Sequence, residues 1–169
     1  MSTNKKTGSA AKTRHLTLAA MTAALYILLT VLSSTLNLAS SAIQLRLSEA
    51  LTVLPCFFSS AVPGLFAGCL LANLLTGAPI WDVLFGAIAT LLGAAGAYAL
   101  RRHPILAVLP AIASNTLIIP FVLRYAYGIK NALPFLFLTV GIGEALSAGV
   151  LGILLYRVLL RIPSLRDHQ

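Results

Sequence analysis

The sequence predicts an all-α integral membrane protein of six transmembrane helices with short loops, and three observations support this. Of its 169 residues 59% are hydrophobic and only 9% charged, with a mean hydropathy of +0.93; soluble domains carry about 25% charged residues. The apolar residues fall into long runs separated by short polar or Pro/Gly-containing breaks. At roughly 20 residues per span, about six helices use nearly the whole chain. One membrane domain is therefore expected over residues 15–160, between a basic tail at 1–14 and a short tail at 161–169, with no room for a soluble catalytic domain.

The first run, His15 to Leu38, follows a polar tail holding Lys5, Lys6, Lys12 and Arg14. It is longer than the roughly 7–15 apolar residues of a signal peptide, so it reads as a retained helix with a cytoplasmic N-terminus. The polar stretch Ser40 to Arg46 precedes a second run, Leu47 to Ser60, and Pro63-Gly64 opens a third that continues to Thr76. Both are counted as helices, although re-entrant or thin-membrane segments have such lengths, and Pro55 is expected to bend the second. Gly77-Ala78-Pro79 breaks the chain before the fourth run, Ile80 to Leu100, which ends at Arg101-Arg102-His103-Pro104. The fifth runs from Ile105 to Leu123, and after Arg124 to Asn131 the sixth extends from Ala132 to Val158.

Six spans place both termini on one side, and the charges agree. The segments assigned inside hold Lys5, Lys6, Lys12, Arg14, Arg101, Arg102, Arg157, Arg161 and Arg166, nine of the twelve basic residues, while those outside hold Arg46, Arg124 and Lys130. Such an excess predicts N-in and C-in. The net charge of +8 is thereby explained by orientation rather than by nucleic acid. Cys56 and Cys69 lie inside apolar runs as small hydrophobes, and His15, His103 and His168 stand beside charged residues at span ends. Neither set has metal-ligand spacing, and no cofactor is expected.

The four acidic residues are the informative ones, because three of them, Glu49, Asp82 and Glu144, lie in or at the edges of spans. A carboxylate at a helix centre costs roughly 2.5–3.5 kcal/mol on insertion scales, so a retained one is a functional-site hypothesis. In this topology Glu49 enters the second helix from outside, Asp82 begins the fourth, and Glu144 lies about three turns into the sixth. Asn73 near the outer end of the third helix and Asn115 near the middle of the fifth complete a polar set in the outer half.

Each of these residues also has a plainer use. Arg46 and Glu49, in Gln44-Leu45-Arg46-Leu47-Ser48-Glu49-Ala50, are three apart, and if the helix starts early they share a face. They would then form either an interfacial anchor or a planar donor and acceptor set, for which a guanidinium suits better than an ammonium. Asp82 sits where the helix dipole favours an anion. Trp81 beside it fits an aromatic belt or a stacking face for a flat ligand. Glu144 could be interhelical glue with Asn115 or a serine, but its depth and the flanking Gly141 and Gly143, which allow close approach, favour a central ligand contact. In the first helix Ala19, Ala20, Ala23 and Ala24 make two overlapping small-xxx-small pairs, suited either to the protein's own bundle or to a partner. The echo of Ser48-Glu49-Ala50-Leu51-Thr52 in Gly143-Glu144-Ala145-Leu146-Ser147 is too short to establish a repeat.

Four stretches together resemble the QueT family: QLRLSEALTVLP (Gln44 to Pro55), VPGLFAGCLLANLL (Val62 to Leu75), DVLFGAIATLLGA (Asp82 to Ala94) and GIGEALSAGVLG (Gly141 to Gly152). These are substrate-binding S components of energy-coupling factor (ECF) transporters for queuosine precursors. The resemblance implies a six-helix membrane subunit of the bacterial plasma membrane without ATPase activity, which holds a small ligand near the extracellular face. It implies docking on a transmembrane coupling protein and two cytoplasmic ATPases, with an alanine motif at Ala20 and Ala24 meeting the coupling protein and Ala19 and Ala23 as an adjacent pair. The implied ligands are 7-deazaguanine bases such as queuine or its aminomethyl precursor. A carboxylate, Glu144 or Glu49, would take the N–H edge of the ring, Asp82 would pair with the ligand amine, and Asn73 and Asn115 would serve ring acceptors.

Two other functions compete. A stand-alone proton-coupled carrier of a small polar or cationic solute could load protons on Glu144, though carriers often show internal repeats. An intramembrane enzyme could use Glu49 and Glu144 as acid and base, but no nucleophile with its own base is evident. The chain contains no phosphate-loop motif, so ATP is expected to be handled by partners.

Overall fold

A computed structural model describes residues 3–38 and 45–162. Ser40 to Gln44 and most of the expected C-terminal tail, with Arg166 and His168, lie outside the described residues, as do the side chains of Lys5 and Lys6. Among the described residues all regular structure is helical.

Helix α1 spans Thr3–Thr35, and its portion Ala11–Thr35 is apolar enough to cross a membrane. It ends where Asn37 turns left-handed, at φ 55°. Leu38 N–H then donates to Ser33 O and Asn37 N–H to Ser34 O, a Schellman closure for which Asn is one of the few non-glycine residues suited.

The second predicted helix takes an unexpected form. Leu47–Cys56 is a 3₁₀ helix of 10 residues, and every residue from Ser48 to Cys56 is buried. Pro55 does not bend an α-helix here; it lies near the end of this tighter one. At about 2.0 Å per residue the segment reaches about 20 Å. Helix α2, Ala61–Leu75, reaches about 22 Å. Both fall short of a hydrocarbon core of about 30 Å, whereas among the described residues four helical stretches are long and apolar enough to cross it.

The other three of those four follow in order. Helix α3 is Ile80–Ala99. Helices α4 (Pro104–Ala107) and α5 (Leu109–Tyr125) are nearly continuous, with Pro110 at the join. Helix α6 (Leu133–Glu144) passes through a π-helical segment, Ala145–Leu151, into α7 (Gly152–Leu159), so the sixth predicted helix exists as one apolar stretch with a widened turn directly after Glu144.

Helices α1, α2, α3, α5 and α6 pack in succession, and the 3₁₀ helix lies among them against α1, α3, α7 and the π segment. The close contacts use glycine. A Cβ on Gly64 would lie 2.6 Å from Ala19 O, one on Gly68 3.0 Å from Ala23 Cα, and one on Gly93 2.7 Å from Ala111 Cα. Packing of this kind, with no hydrophobic drive between helices, is what holds helices together in lipid. Phe57 and Tyr156, with rings 5.0 Å apart, close the end of the core remote from Asp82.

Candidate functional site

The polar residues form two layers. In the outer one, the extended backbone of Arg46 ahead of the 3₁₀ helix brings its guanidinium to Asp82 in the first turn of α3, with Nη2 to Oδ2 at 3.5 Å. Tyr127 Oη donates to the same Oδ2 at 2.7 Å, and Asn73 Nδ2 donates to Asp82 O at 3.2 Å. Asp82 is 1% exposed, yet its Oδ1 accepts nothing. Burial first, and then the charge and acceptor of Asp82, push the Tyr127 hydroxyl above its usual range, so it remains a donor. These groups face a cavity of about 390 Å³ that is also lined by Thr30, Ser33 and Thr76. A side chain at Gly86 would intrude here, its Cβ 3.0 Å from Asn73 Nδ2 and 3.2 Å from Asp82 Oδ1.

The inner layer is a closed carboxylate cluster. Glu49 is 1% and Glu144 6% exposed. Asn115, from α5, donates through Nδ2 to Oε2 of both, at 3.4 Å each. Tyr26, from α1, donates its hydroxyl to Glu49 Oε1. The 3₁₀ helix turns Glu49 inward, and the π segment carries Ser147 to the same region, where its Oγ accepts the Arg46 N–H at 3.1 Å. The layers are joined through Thr30, whose hydroxyl donates to Tyr26 O and lies in hydrogen-bond contact with Ser48 Oγ at 2.9 Å. Ser33 Oγ accepts the Leu47 N–H at 3.0 Å.

Six of the seven predicted ligand residues thus come together: Arg46, Asn73 and Asp82 outside, Glu49, Asn115 and Glu144 inside. The expected Arg46–Glu49 face is not the one used, because Arg46 lies before the helix in extended conformation and reaches Asp82 instead. Trp81 is the exception. Successive helical residues diverge by about 100°, and with Asp82 inward Trp81 is 56% exposed. It stacks at 6.0 Å on Phe85 and lines an apolar groove of about 660 Å³ with Phe121 and Tyr125. The alanines divide as well. Ala19 and Ala23 meet Gly64 and Gly68 within the bundle, whereas Ala20 and Ala24 are exposed.

Tyr26, Thr30, Ser48 and Tyr127 were not anticipated. For two of them a signal existed, since Thr22, Tyr26, Thr30 and Ser33 recur at helical spacing along one face of α1. Tyr127 lies in a short connection where periodicity says nothing. A family model described as QueT transporter matches residues 16–161. No curated protein and no solved structure matches the chain.

Proposed function

The chain belongs to the QueT transporter family, and from that premise we propose that it is the substrate-binding membrane subunit of an ECF-type importer. It captures a queuosine precursor, a 7-deazaguanine base such as queuine or its aminomethyl form, from outside the cell. A coupling protein and two ATPase subunits then drive uptake.

One observation carries this reading: a cavity lined by Arg46, Asn73 and Asp82 stands next to a buried Glu49–Asn115–Glu144 cluster, in a protein that is otherwise apolar. A guanine-like edge presents adjacent N–H donors, which one carboxylate accepts as a pair of charge-assisted hydrogen bonds. The amides serve its carbonyl and ring nitrogen. Polar groups buried at this cost in a bilayer protein mark a ligand path.

Orientation supports the same assignment. Arg46, Asp82 and Tyr127 lie at one end of the bundle, and Arg14, His15 and Arg101 surround a cavity at the other. The positive-inside rule puts the more basic end in the cytoplasm, with both termini, and opens the end holding Arg46, Asp82 and Tyr127 outward. Exposed Ala20 and Ala24 leave a close-packing surface for the coupling protein.

The test is to purify the protein, identify any retained ligand by mass and ultraviolet spectrum, and titrate 7-deazaguanine bases. Binding by the isolated subunit near one to one, with transport only after addition of the coupling module, is expected. Uptake into proteoliposomes without that module, driven by an imposed proton gradient, would show this assignment to be wrong.

A further inference from the structure

We infer that the inner cluster takes a monocationic ligand in exchange for one proton, and that Glu144 makes the exchange and so sets a preference for a cation over a neutral ring. This rests on the binding-subunit reading above and names the charge of its substrate.

The charges in the core do not balance. Glu49, Asp82 and Glu144 are all buried, and among the described residues the one basic side chain in contact with them is Arg46, which reaches Asp82. The groups facing the two glutamates from the surrounding elements are Tyr26 of α1, Cys69 of α2, Thr90 of α3, Asn115 of α5 and, just ahead of the 3₁₀ helix, Arg46. Arg46 is the one cation among these, and its ion pair is with Asp82. Arg124 is turned to the carbonyls of Ile129 and Asn131. Three ionised carboxylates against one guanidinium are strongly disfavoured in hydrocarbon, so the cluster by itself keeps a proton.

The hydrogen bonds locate it. Glu49 accepts at Oε1 from Tyr26 and at Oε2 from Asn115, so both oxygens act as acceptors. Glu144 accepts from Asn115 at Oε2, and the Tyr26 hydroxyl goes to Glu49 and not to Glu144 Oε1. That oxygen is the place for a proton or for a ligand N–H, and the two compete. When the cation binds, the Glu144 O–H bond breaks, the proton passes to bulk water, and the carboxylate accepts the ligand's ammonium N–H. The net charge of the core is the same before and after. Buried Asp82 Oδ1, which accepts nothing, offers a further acceptor to a donor-rich guest.

The test is calorimetry on the full chain in lipid nanodiscs, with 7-aminomethyl-7-deazaguanine and neutral 7-deazaguanine as probes, in two buffers of different ionisation heat. The amine of the first stays protonated near neutral pH, like that of lysine. The wild type should release close to one proton per cation bound at acidic pH, and its affinity should rise by up to about tenfold per pH unit until free Glu144 ionises. The neutral ring should bind at least about tenfold more weakly, with no proton release, since it lacks the charged partner. Glu144→Gln should lose both the release and the preference, and Glu144→Asp should keep the release. Should Glu144→Gln fail to fold, the wild-type pH slope and Glu144→Asp decide. Equal affinity for the two probes, cation binding without proton release, or release persisting in Glu144→Gln would overturn the exchange and leave the binding subunit intact. If neither probe binds, the proposed function fails and the exchange with it.

Discussion

Arg46 meets Asp82 at 3.5 Å across the gap between the start of the 3₁₀ helix and the first turn of α3, and not Glu49 three residues along its own chain. The pair therefore ties two elements together at the mouth of the cavity, with Tyr127 Oη on the same carboxylate oxygen. Because the Asp82 side chain is 2% and that of Arg46 18% exposed, the attraction is only partly screened. A double-mutant cycle of Arg46→Gln and Asp82→Asn, followed by thermal unfolding in detergent, should give a coupling energy within about 0.5–3 kcal/mol. Additive losses would mean that the contact contributes nothing of its own.

Tyr26 supplies a hydroxyl donor to Glu49, and Thr30, one turn on along α1, bonds Tyr26 O and touches Ser48 Oγ of the 3₁₀ helix. Removing that hydroxyl leaves the ring in its packing place but strips a buried acceptor of a donor, a loss of about 1–3 kcal/mol. Tyr26→Phe should lower both thermal stability and affinity for a 7-deazaguanine base. A variant indistinguishable from wild type in both measurements would remove Tyr26 from the site.

How far this could be read in the sequence depended on what each residue's position had to satisfy. Glu49, Asp82 and Glu144 stood out because a carboxylate in an apolar run has a cost that composition alone exposes. Their grouping followed from depth, and depth followed from charge asymmetry between loops. The 3₁₀ form of Leu47–Cys56 was not legible, since an apolar run that is buried on all sides carries no period to distinguish one helix type from another. The choice of Asp82 over Glu49 as partner of Arg46 turned on that same start of the helix. Glu49 and Glu144, from the two echoing pentapeptides, do meet at Asn115, but five residues gave no grounds to expect it.

Trp81 was read beside Asp82 as a belt residue or a stacking platform, and its exposure favours the first. It faces the apolar groove with Phe85, Phe121 and Tyr125, away from Asp82. Trp81→Leu should leave affinity for a 7-deazaguanine base within about twofold of wild type, as surface substitutions usually cost under about 0.5 kcal/mol. Asn73→Ala, which removes a donor that holds Asp82 O, should weaken binding in the same assay. If the tryptophan variant lost binding instead, the ligand would have to extend into the groove.

The four alanines of α1 separate by what they touch, and substitutions should separate the same way. Gly64 Cβ would lie 2.6 Å from Ala19 O, so Gly64→Ala, or a leucine at Ala19 or Ala23, must force α1 and α2 apart, at about 1–3 kcal/mol of overpacking. Leucine at Ala20 or Ala24 falls on the exposed side of α1, away from the Gly64 and Gly68 contacts. It should leave unfolding temperature and ligand affinity unchanged while abolishing co-purification with the coupling protein and reconstituted uptake. The small side chains at 20 and 24 would then serve close approach by a partner helix, a task their own bundle does not require. Retained association in the Ala24→Leu protein would place the coupling surface on another helix.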